Sequence, residues 1–303
     1  MQNNVLAAID LGANSFHLSI VTVSKDGLRP VITSRDILHF NRGIDEQGQL
    51  HSNTRLRALK CLARFHDLLQ QHNPQRVRAV GTSSFRQLGI AHAFIAEAEA
   101  KLGFPIEILS GEEEAKLIYQ GATSGLPQQT RLVVDIGGGS TELALGSGTQ
   151  PDFAVSLPVG SAQLSEAFFN QEQIHSDDIA AAKLSVQHEL ANINWQPEQW
   201  LKVEQALGTS GTVKAIRSVL THLKLTQHDI ELAALQRLEP VLWQVSNRTQ
   251  LSQLLGLNTP RTRVFPGGFI ILRVLFEWFE IPKIELAHRA LREGILVNLS
   301  QSS

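Results

Sequence analysis

Apolar runs broken by single polar residues recur along the chain, and two of them can be laid on each other without a gap. Ala7-Ala8-Ile9-Asp10-Leu11-Gly12-Ala13-Asn14-Ser15-Phe16-His17-Leu18 matches Leu132-Val133-Val134-Asp135-Ile136-Gly137-Gly138-Gly139-Ser140-Thr141-Glu142-Leu143. Each copy is an apolar run ending in Asp, then a small-residue turn, then a Ser leading into a second, alternating run. Both flanks read as strands, so each copy is strand, tight turn, strand. The interval between copies is about a domain's length, which predicts a duplicated domain rather than a solenoid.

The rest of each half extends this pattern. After the first hairpin the pattern predicts a third strand (Val31 to Phe40), a helix from Asn53 to His72 and a strand from Val77 to Gly81. An alanine-rich helix (Ile90 to Leu102), a strand (Ile106 to Leu109) and a helix (Gly111 to Ala122) complete the half. The second half repeats a hairpin (Leu132 to Leu145), a third strand (Phe153 to Leu157), helices (Ala162 to Phe169, Asp178 to Ile193), a strand (Val203 to Leu207) and further helices. Strands followed by alternating helix and strand predict an α/β fold with a mixed sheet under helices in each half. Thr123 to Gln129, rich in turn formers and lacking apolar periodicity, is the expected linker. That gives a first domain over 1–124 and a second over 125–283.

Composition narrows the function classes. With 303 residues, 43% hydrophobic and 18% charged, the chain has the make-up of a soluble globular protein of two ordinary domains. A net charge of −2 supplies no global field for nucleic acid or an anionic membrane, so a polyanion must be held by a local site. The one cysteine, Cys61, excludes an intrachain disulfide and a cysteine-built zinc site; it sits in an apolar helical run as a small buried hydrophobe. This usage suits a reducing cytoplasm. The start shows no signal-peptide pattern, and Gly267 to Phe279, the most apolar stretch, is too short to span a bilayer and contains Arg273 and Glu277. Phe265 to Phe279 suits a core or a subunit interface alike, which leaves a homodimer open.

The two turns carry the candidate chemistry. Gly12 and Gly137-Gly138-Gly139 remove side chains where backbone amides can converge on an anion, and Ser15, Ser140 and Thr141 add hydroxyl donors. Either loop alone can be an ordinary glycine hairpin; the pair, each preceded by an Asp, is the signal. Neither G-x-x-x-x-G-K-[ST] nor G-x-G-x-x-G occurs, and the loops lead into strands, not helices. A carboxylate beside a phosphate repels it unless a cation intervenes, so Asp10 and Asp135 point to Mg2+, with Glu142 either completing that shell or serving as a solvated strand residue. Ser110 to Ala122 reads as a helix with a capping box (Ser110, Glu113) and an i,i+4 pair (Glu112, Lys116). Glu114 instead shares the apolar face of Leu117, Ile118 and Gly121. A buried carboxylate near phosphate is suited to deprotonating an attacking water. Arg86, between a strand and a helix, is either a surface arginine or a brace for phosphoryl oxygens.

Taken together, these motifs resemble the exopolyphosphatase / guanosine pentaphosphate phosphohydrolase (Ppx/GppA) family. The resemblance also rests on Gly81-Thr82 through Arg86, Leu157-Pro158-Val159-Gly160-Ser161, Ala206-Leu207-Gly208-Thr209-Ser210-Gly211-Thr212, Pro266-Gly267-Gly268 and Ala290-Leu291-Arg292-Glu293-Gly294. It implies two duplicated ribonuclease-H-like domains of the actin / acetate and sugar kinase superfamily with an interdomain cleft, the two Asp-tipped hairpins facing each other. It implies Glu114 as the residue that activates water, Arg86 as a phosphate-binding arginine, and Asp135 and Glu142 as magnesium-associated carboxylates, alongside Asp10. Gly12, Ala13, Asn14 and Ser15, and Gly137 to Thr141, would be phosphate loops. Gly208, Ser210, Gly211 and Thr212 match a nucleotide-contacting loop. A last helix, from about 284 to 303, would pack back on the first domain. The implied substrates are polyphosphate or guanosine pentaphosphate, with no nucleic acid or membrane partner. Ala13 stands where the family has Ser. The chain also stops short of the helical extension of long members, which leads us to expect weak processivity on long polyphosphate. The rival readings are a kinase of the same superfamily and a nucleotide- or polyphosphate-sensing protein.

Overall fold

A computed structural model describes residues 4–25, 27–45, 47–88, 93–171, 174–194, 203–245 and 248–301. The chain divides into two compact units, Met1–Ser124 with Arg289–Ser303, and Gly125–His288.

In the first unit, β1 (Asn4–Leu11), β2 (Ser15–Ser24) and β3 (Gly27–Ile37) form an antiparallel meander. β4 (Arg76–Gly81) and β5 (Ile106–Ile108) add in parallel, giving the order β3-β2-β1-β4-β5. Strand side chains alternate between faces. Ala7, Ile9 and Leu11 of β1 join Phe16, Leu18 and Ile20 of β2 on the face covered by α1 (Ser52–His72) and α3 (Ala93–Leu102). Helix α1 meets that face through the stripe Ala58, Cys61, Leu62, Phe65 and Leu69, whose three- and four-residue steps keep one side apolar. Burial, aided by Asp36, pushes the Cys61 thiol well above its usual range, as expected of an inert core residue.

Four rings, Phe16, Phe40, Phe85 and Phe94, stack at the loop end of this core with centroids 5.3 to 6.1 Å apart. Phe85 lies in the short α2 (Ser83–Leu88), so this cluster fixes the backbone beside Arg86. Gly81 is needed for it: a Cβ there would fall 2.6 Å from the Phe85 ring.

On the opposite face lie α4 (Gly111–Thr123) and α11 (Leu291–Gln301). Arg292 reaches Ser19 of β2, and Arg78 of β4 reaches Asn298. The two helices cross at backbone contact. A Cβ on Gly121 would lie 1.9 Å from the Ala290 carbonyl oxygen, and one on Gly294 1.8 Å from that of Leu117.

The second unit repeats the plan. β6 (Arg131–Ile136), β7 (Thr141–Gly146) and β8 (Phe153–Leu157) form the antiparallel meander. β9 (Gln205–Gly208) pairs in parallel with β6, and β11 (Lys283–Leu286) in parallel with β9, with the short β10 (Ile230–Glu231) at the edge. Helices α5 (Ser161–Phe168), α6 (Ser176–Ala191), α7 (Ser210–His222), α8 (Leu232–Trp243), α9 (Arg248–Leu255) and α10 (Thr259–Trp278) surround this sheet. Phe265 to Phe276 of α10 is core: Phe269, Ile270, Ile271, Leu272, Leu275 and Phe276 have no exposure. Arg273 is buried there against Glu239 and Glu277. Among the described residues no helix is long and apolar enough to cross a membrane.

Three expectations differ from what is found. The stretch from 284 is not one helix: Lys283-Ile284-Glu285-Leu286 alternates with period two and becomes β11 of the second unit, and α11 begins only at Leu291. The second unit therefore runs to His288 rather than ending at 283. β3 spans 27–37, not 31–40, because the amides of Leu38 and His39 turn aside to the Asn14 carbonyl. Of the helix expected over Ile90 to Leu102, Ala93–Leu102 is helical, and its start falls on residues 89–92, outside the described residues.

Candidate active site

Each meander places a turn at the carboxyl end of its first strand, and both turns are tied down from behind. In the first, the Asn14 carbonyl accepts from Leu38 (3.0 Å) and His39 (2.9 Å), and that of Ala13 from Asn41 (3.0 Å). In the second, the Gly137 carbonyl accepts from the Ser161 amide and hydroxyl, both at 2.9 Å, and the Gly138 carbonyl from Ala162 (3.0 Å) and Gln163 (3.2 Å). A planar trans peptide sends its N–H opposite to its C=O. The amides of Asn14 and Ser15, and of Gly138 and Gly139, therefore point away from these anchors. The LPVGS segment forms the second anchor: a Cβ on Gly160 would lie 2.4 Å from the Gly138 backbone, so only glycine lets the start of α5 approach.

The hydroxyls at these turns divide. Ser15 Oγ is 2.8 Å from His17 Nε2, and Ser140 is buried. Thr141 corrects the expectation of a phosphate-facing hydroxyl: fully buried, it donates to the Val159 carbonyl at 2.7 Å and braces the anchor instead.

The strand registers set two polar rows. In the first unit Val80, Asp10, His17 and Arg35 stand side by side across β4, β1, β2 and β3. Burial first, then Arg292 and Arg35, lower the His17 pKa to about 3, so it is neutral at pH 7. In the second unit Asp135, Glu142 and Ser156 stand side by side across β6, β7 and β8. Thr209, just beyond the end of β9, donates its hydroxyl to Asp135 Oδ2, and Ser156 donates to Glu142 Oε1 at 2.8 Å. Burial raises the Asp135 pKa above the usual carboxylate range, opposed by the Thr209 hydroxyl and by Lys214.

Directly opposed carboxylates repel each other across antiparallel strands. Glu142 is only 3% exposed, so water screens the pair poorly. Two adjacent carboxylates with neighbouring hydroxyls form a hard oxygen-donor set, which fits Mg2+. Among the described residues no group of three or more His, Cys, Asp or Glu side chains could hold a metal, so the pair supplies only part of a coordination shell.

Glu114 lies in the first turn of α4, 7% exposed. The other two glutamates of that turn are engaged locally: Glu113 closes the capping box with Ser110, and Glu112 pairs with Lys116. Glu114 Oε2 accepts instead from Arg86 Nη1 at 2.8 Å, and the same nitrogen donates to the Leu109 carbonyl at 3.0 Å. The two residues singled out for catalysis thus meet as a part-buried ion pair. The Gly121–Gly294 crossing fixes the helix that carries the carboxylate.

The Gly208 to Thr212 segment starts α7. Gly208 is required by packing, since a Cβ would fall 2.6 Å from Val213 and 2.7 Å from Ile284. Ser210 adopts φ 69, a strained left-handed conformation for a non-glycine residue, and its hydroxyl accepts from the Val213 amide. Gly211 faces open space, and Thr212 Oγ1 lies 3.3 Å from Ser161 Oγ. Pro266-Gly267-Gly268 packs on the same corner, since a Cβ on Gly267 would lie 2.5 Å from the Ser161 carbonyl.

Sequence reasoning missed Thr209, Ser156 and the neutral His17. For Thr209 a signal existed: Gly208-Thr209-Ser210 repeats Gly81-Thr82-Ser83, an extension of the internal duplication to the fourth strand of each sheet.

Comparison with known proteins identifies the family and the fold. The model of the Ppx/GppA phosphatase family matches residues 19–303. Similar solved structures include the Aquifex aeolicus PPX-GPPA enzyme, 24% identical with a TM-score of 0.83 over 97% of this chain and 99% of that one. An exopolyphosphatase-like protein is 24% identical with a TM-score of 0.85, covering 99% and 98%. An exopolyphosphatase from Cytophaga hutchinsonii is 23% identical with a TM-score of 0.84, covering 97% of each. At those identities the structures establish the fold, two α/β domains with mixed sheets; the family match extends over nearly the whole length. This chain therefore belongs to the Ppx/GppA phosphatase family, a family of phosphohydrolases.

Proposed function

We propose that the chain releases the terminal phosphate of inorganic polyphosphate, of guanosine pentaphosphate, or of both, with Glu114 activating water. The observation that carries this reading is the burial of Glu114 against Arg86. A carboxylate 7% exposed at a helix start, beyond the needs of capping, costs stability unless it is used. Arg86 gives it one orientation.

In this mechanism the amides of Asn14 and Ser15 bind oxygens of the terminal phosphoryl group, and the amides of Gly138 and Gly139 form the corresponding anion loop of the second unit. The planar guanidinium of Arg86 shares its charge between those oxygens and Glu114. Glu114 orients a water molecule and takes its proton as the oxygen attacks phosphorus; the shortened chain departs as a phosphate anion. Asp135 and Glu142 would hold Mg2+, which when bound offsets the negative charge of the phosphate oxygens. Most of the acceleration comes from positioning and charge stabilisation, as is general in phosphoryl transfer. The single buried cysteine suits activity in a reducing cytoplasm.

The experiment is phosphate release from polyphosphate and from guanosine pentaphosphate, side by side, with magnesium and with a chelator. Magnesium-dependent release from at least one of them is expected. Phosphate transfer to an acceptor in place of release, or no turnover of either compound, refutes the proposal.

A further inference from the structure

Asp135 and Glu142 stand opposite each other in the β6–β7 ladder, and each is gripped by one hydroxyl from outside that ladder. Thr209 donates to Asp135 Oδ2, and Ser156 donates to Glu142 Oε1 at 2.8 Å. Both grips are rigid. The Thr209 amide is tied to the Val134 carbonyl at 2.9 Å, and its side chain has no exposure; Ser156 is the direct cross-strand neighbour of Glu142 in β8.

The position of Thr209 results from a difference in register. In the first unit Gly81 pairs with Leu11, so Asp10 has Val80 beside it and Thr82 lies past the end of the ladder. In the second unit Gly208 pairs with Val134, two residues earlier in the repeat, which brings Thr209 level with Asp135. A two-residue shift keeps every side chain on its own face, so the hydroxyl arrives on the carboxylate side. The row of the first unit differs: it reads Val80, Asp10, His17, Arg35.

Two carboxylates directly opposed in a ladder turn away from each other unless something holds them. A hydroxyl donating to one oxygen of each removes that rotation. We infer that Thr209 and Ser156 are positioning residues that hold Asp135 and Glu142 in the orientation that takes a divalent cation. The inference rests on the reading in which these two carboxylates carry magnesium. Outer-shell partners of this kind typically govern metal affinity by about 10–100-fold.

The test is calorimetric titration of the full chain, free of substrate, with Mn2+ alone, paired with the melting temperature in a chelator. Ser156→Ala and Thr209→Val are each expected to weaken Mn2+ binding by about 10–100-fold. Thr209→Ser, which keeps the hydroxyl, is expected to restore it. Wild-type Mn2+ affinity in Ser156→Ala and Thr209→Val, with only the chelator melting temperature lowered, shows hydroxyls that merely fill the fold and overturns the inference. If Asp135→Asn abolishes binding in that same series, the magnesium reading survives and the positioning role alone falls. A wild-type chain that binds no Mn2+ overturns both. Should Thr209→Val fail to fold, Ser156→Ala on the half-buried β8 decides the matter alone.

Discussion

The two hairpins descend from one pattern, and the residues one strand-width from the Asp show how far they have diverged. Beside Asp10 stands His17, held neutral by burial and two arginines, with Arg35 next in the row. Beside Asp135 stands Glu142, then Ser156, with Thr209 on the other flank. The backbone plan is the same in both units: a meander, a turn whose carbonyls are tied from behind, and parallel strands beyond. The side chains on that plan differ in charge. The first row sets one carboxylate, Asp10, beside a neutral imidazole and a guanidinium, whereas the second sets two carboxylates side by side and calls for a cation near phosphate. One duplicated scaffold thus carries two different polar rows, because a strand fixes where a side chain stands and leaves its charge free to change.

That contrast can be broken or sharpened by substitution. The largest effect is expected at Glu114, the proposed base: Glu114→Gln should keep substrate binding and lose about 10²–10⁴-fold in kcat. Undiminished turnover would remove it from the mechanism. Next, Asp135→Asn should cost on the order of 10²–10³-fold in magnesium-dependent turnover, and Asp10→Asn distinctly less; equal losses would erase the distinction between the rows.

Gly121→Val, which forces a side chain into the α4–α11 crossing, should cost about 1–3 kcal/mol in denaturant unfolding and lower kcat by shifting Glu114. Glu142→Gln removes one of two opposed charges. It should lower magnesium-dependent activity while stabilising the metal-free protein by up to ~1 kcal/mol, read as a higher melting temperature in a chelator. The smallest effect concerns pH. His17 is neutral in the fold down to about pH 3, whereas in the unfolded chain it takes up a proton below about 6.5. The unfolded state then binds more protons, so stability falls as pH drops from about 6.5 toward 3. His17→Gln should flatten that part of the pH–stability curve; an unchanged curve would mean His17 is not the group responsible.

Much of the plan was legible from the order of the residues. The Ala7–Leu18 echo in Leu132–Leu143 is a statement about strands and turns, which depend on local alternation, and both hairpins form where it places them. Glu114 stood out because helical periodicity puts it on the apolar face, and it is buried. Less was legible where a residue's neighbour is distant in sequence. Thr141 looked like a phosphate ligand by type and position, yet its hydroxyl is taken by Val159, and the packing of Gly208 against Val213 and Ile284 was equally out of reach. The segment from 284 looked helical, yet it is strand β11 beside β9, a partner about 80 residues away in sequence.

The sequence by itself determined the duplication, the alternation of strands and helices, and the family, because each rests on periodicity or on motifs contiguous in the chain. Only the tertiary structure decided that Arg86 meets Glu114, that Thr209 meets Asp135, and that His17 stays uncharged. Those facts depend on strand register, on helices that touch at glycines, and on burial. All three arise when segments far apart in sequence close on one another.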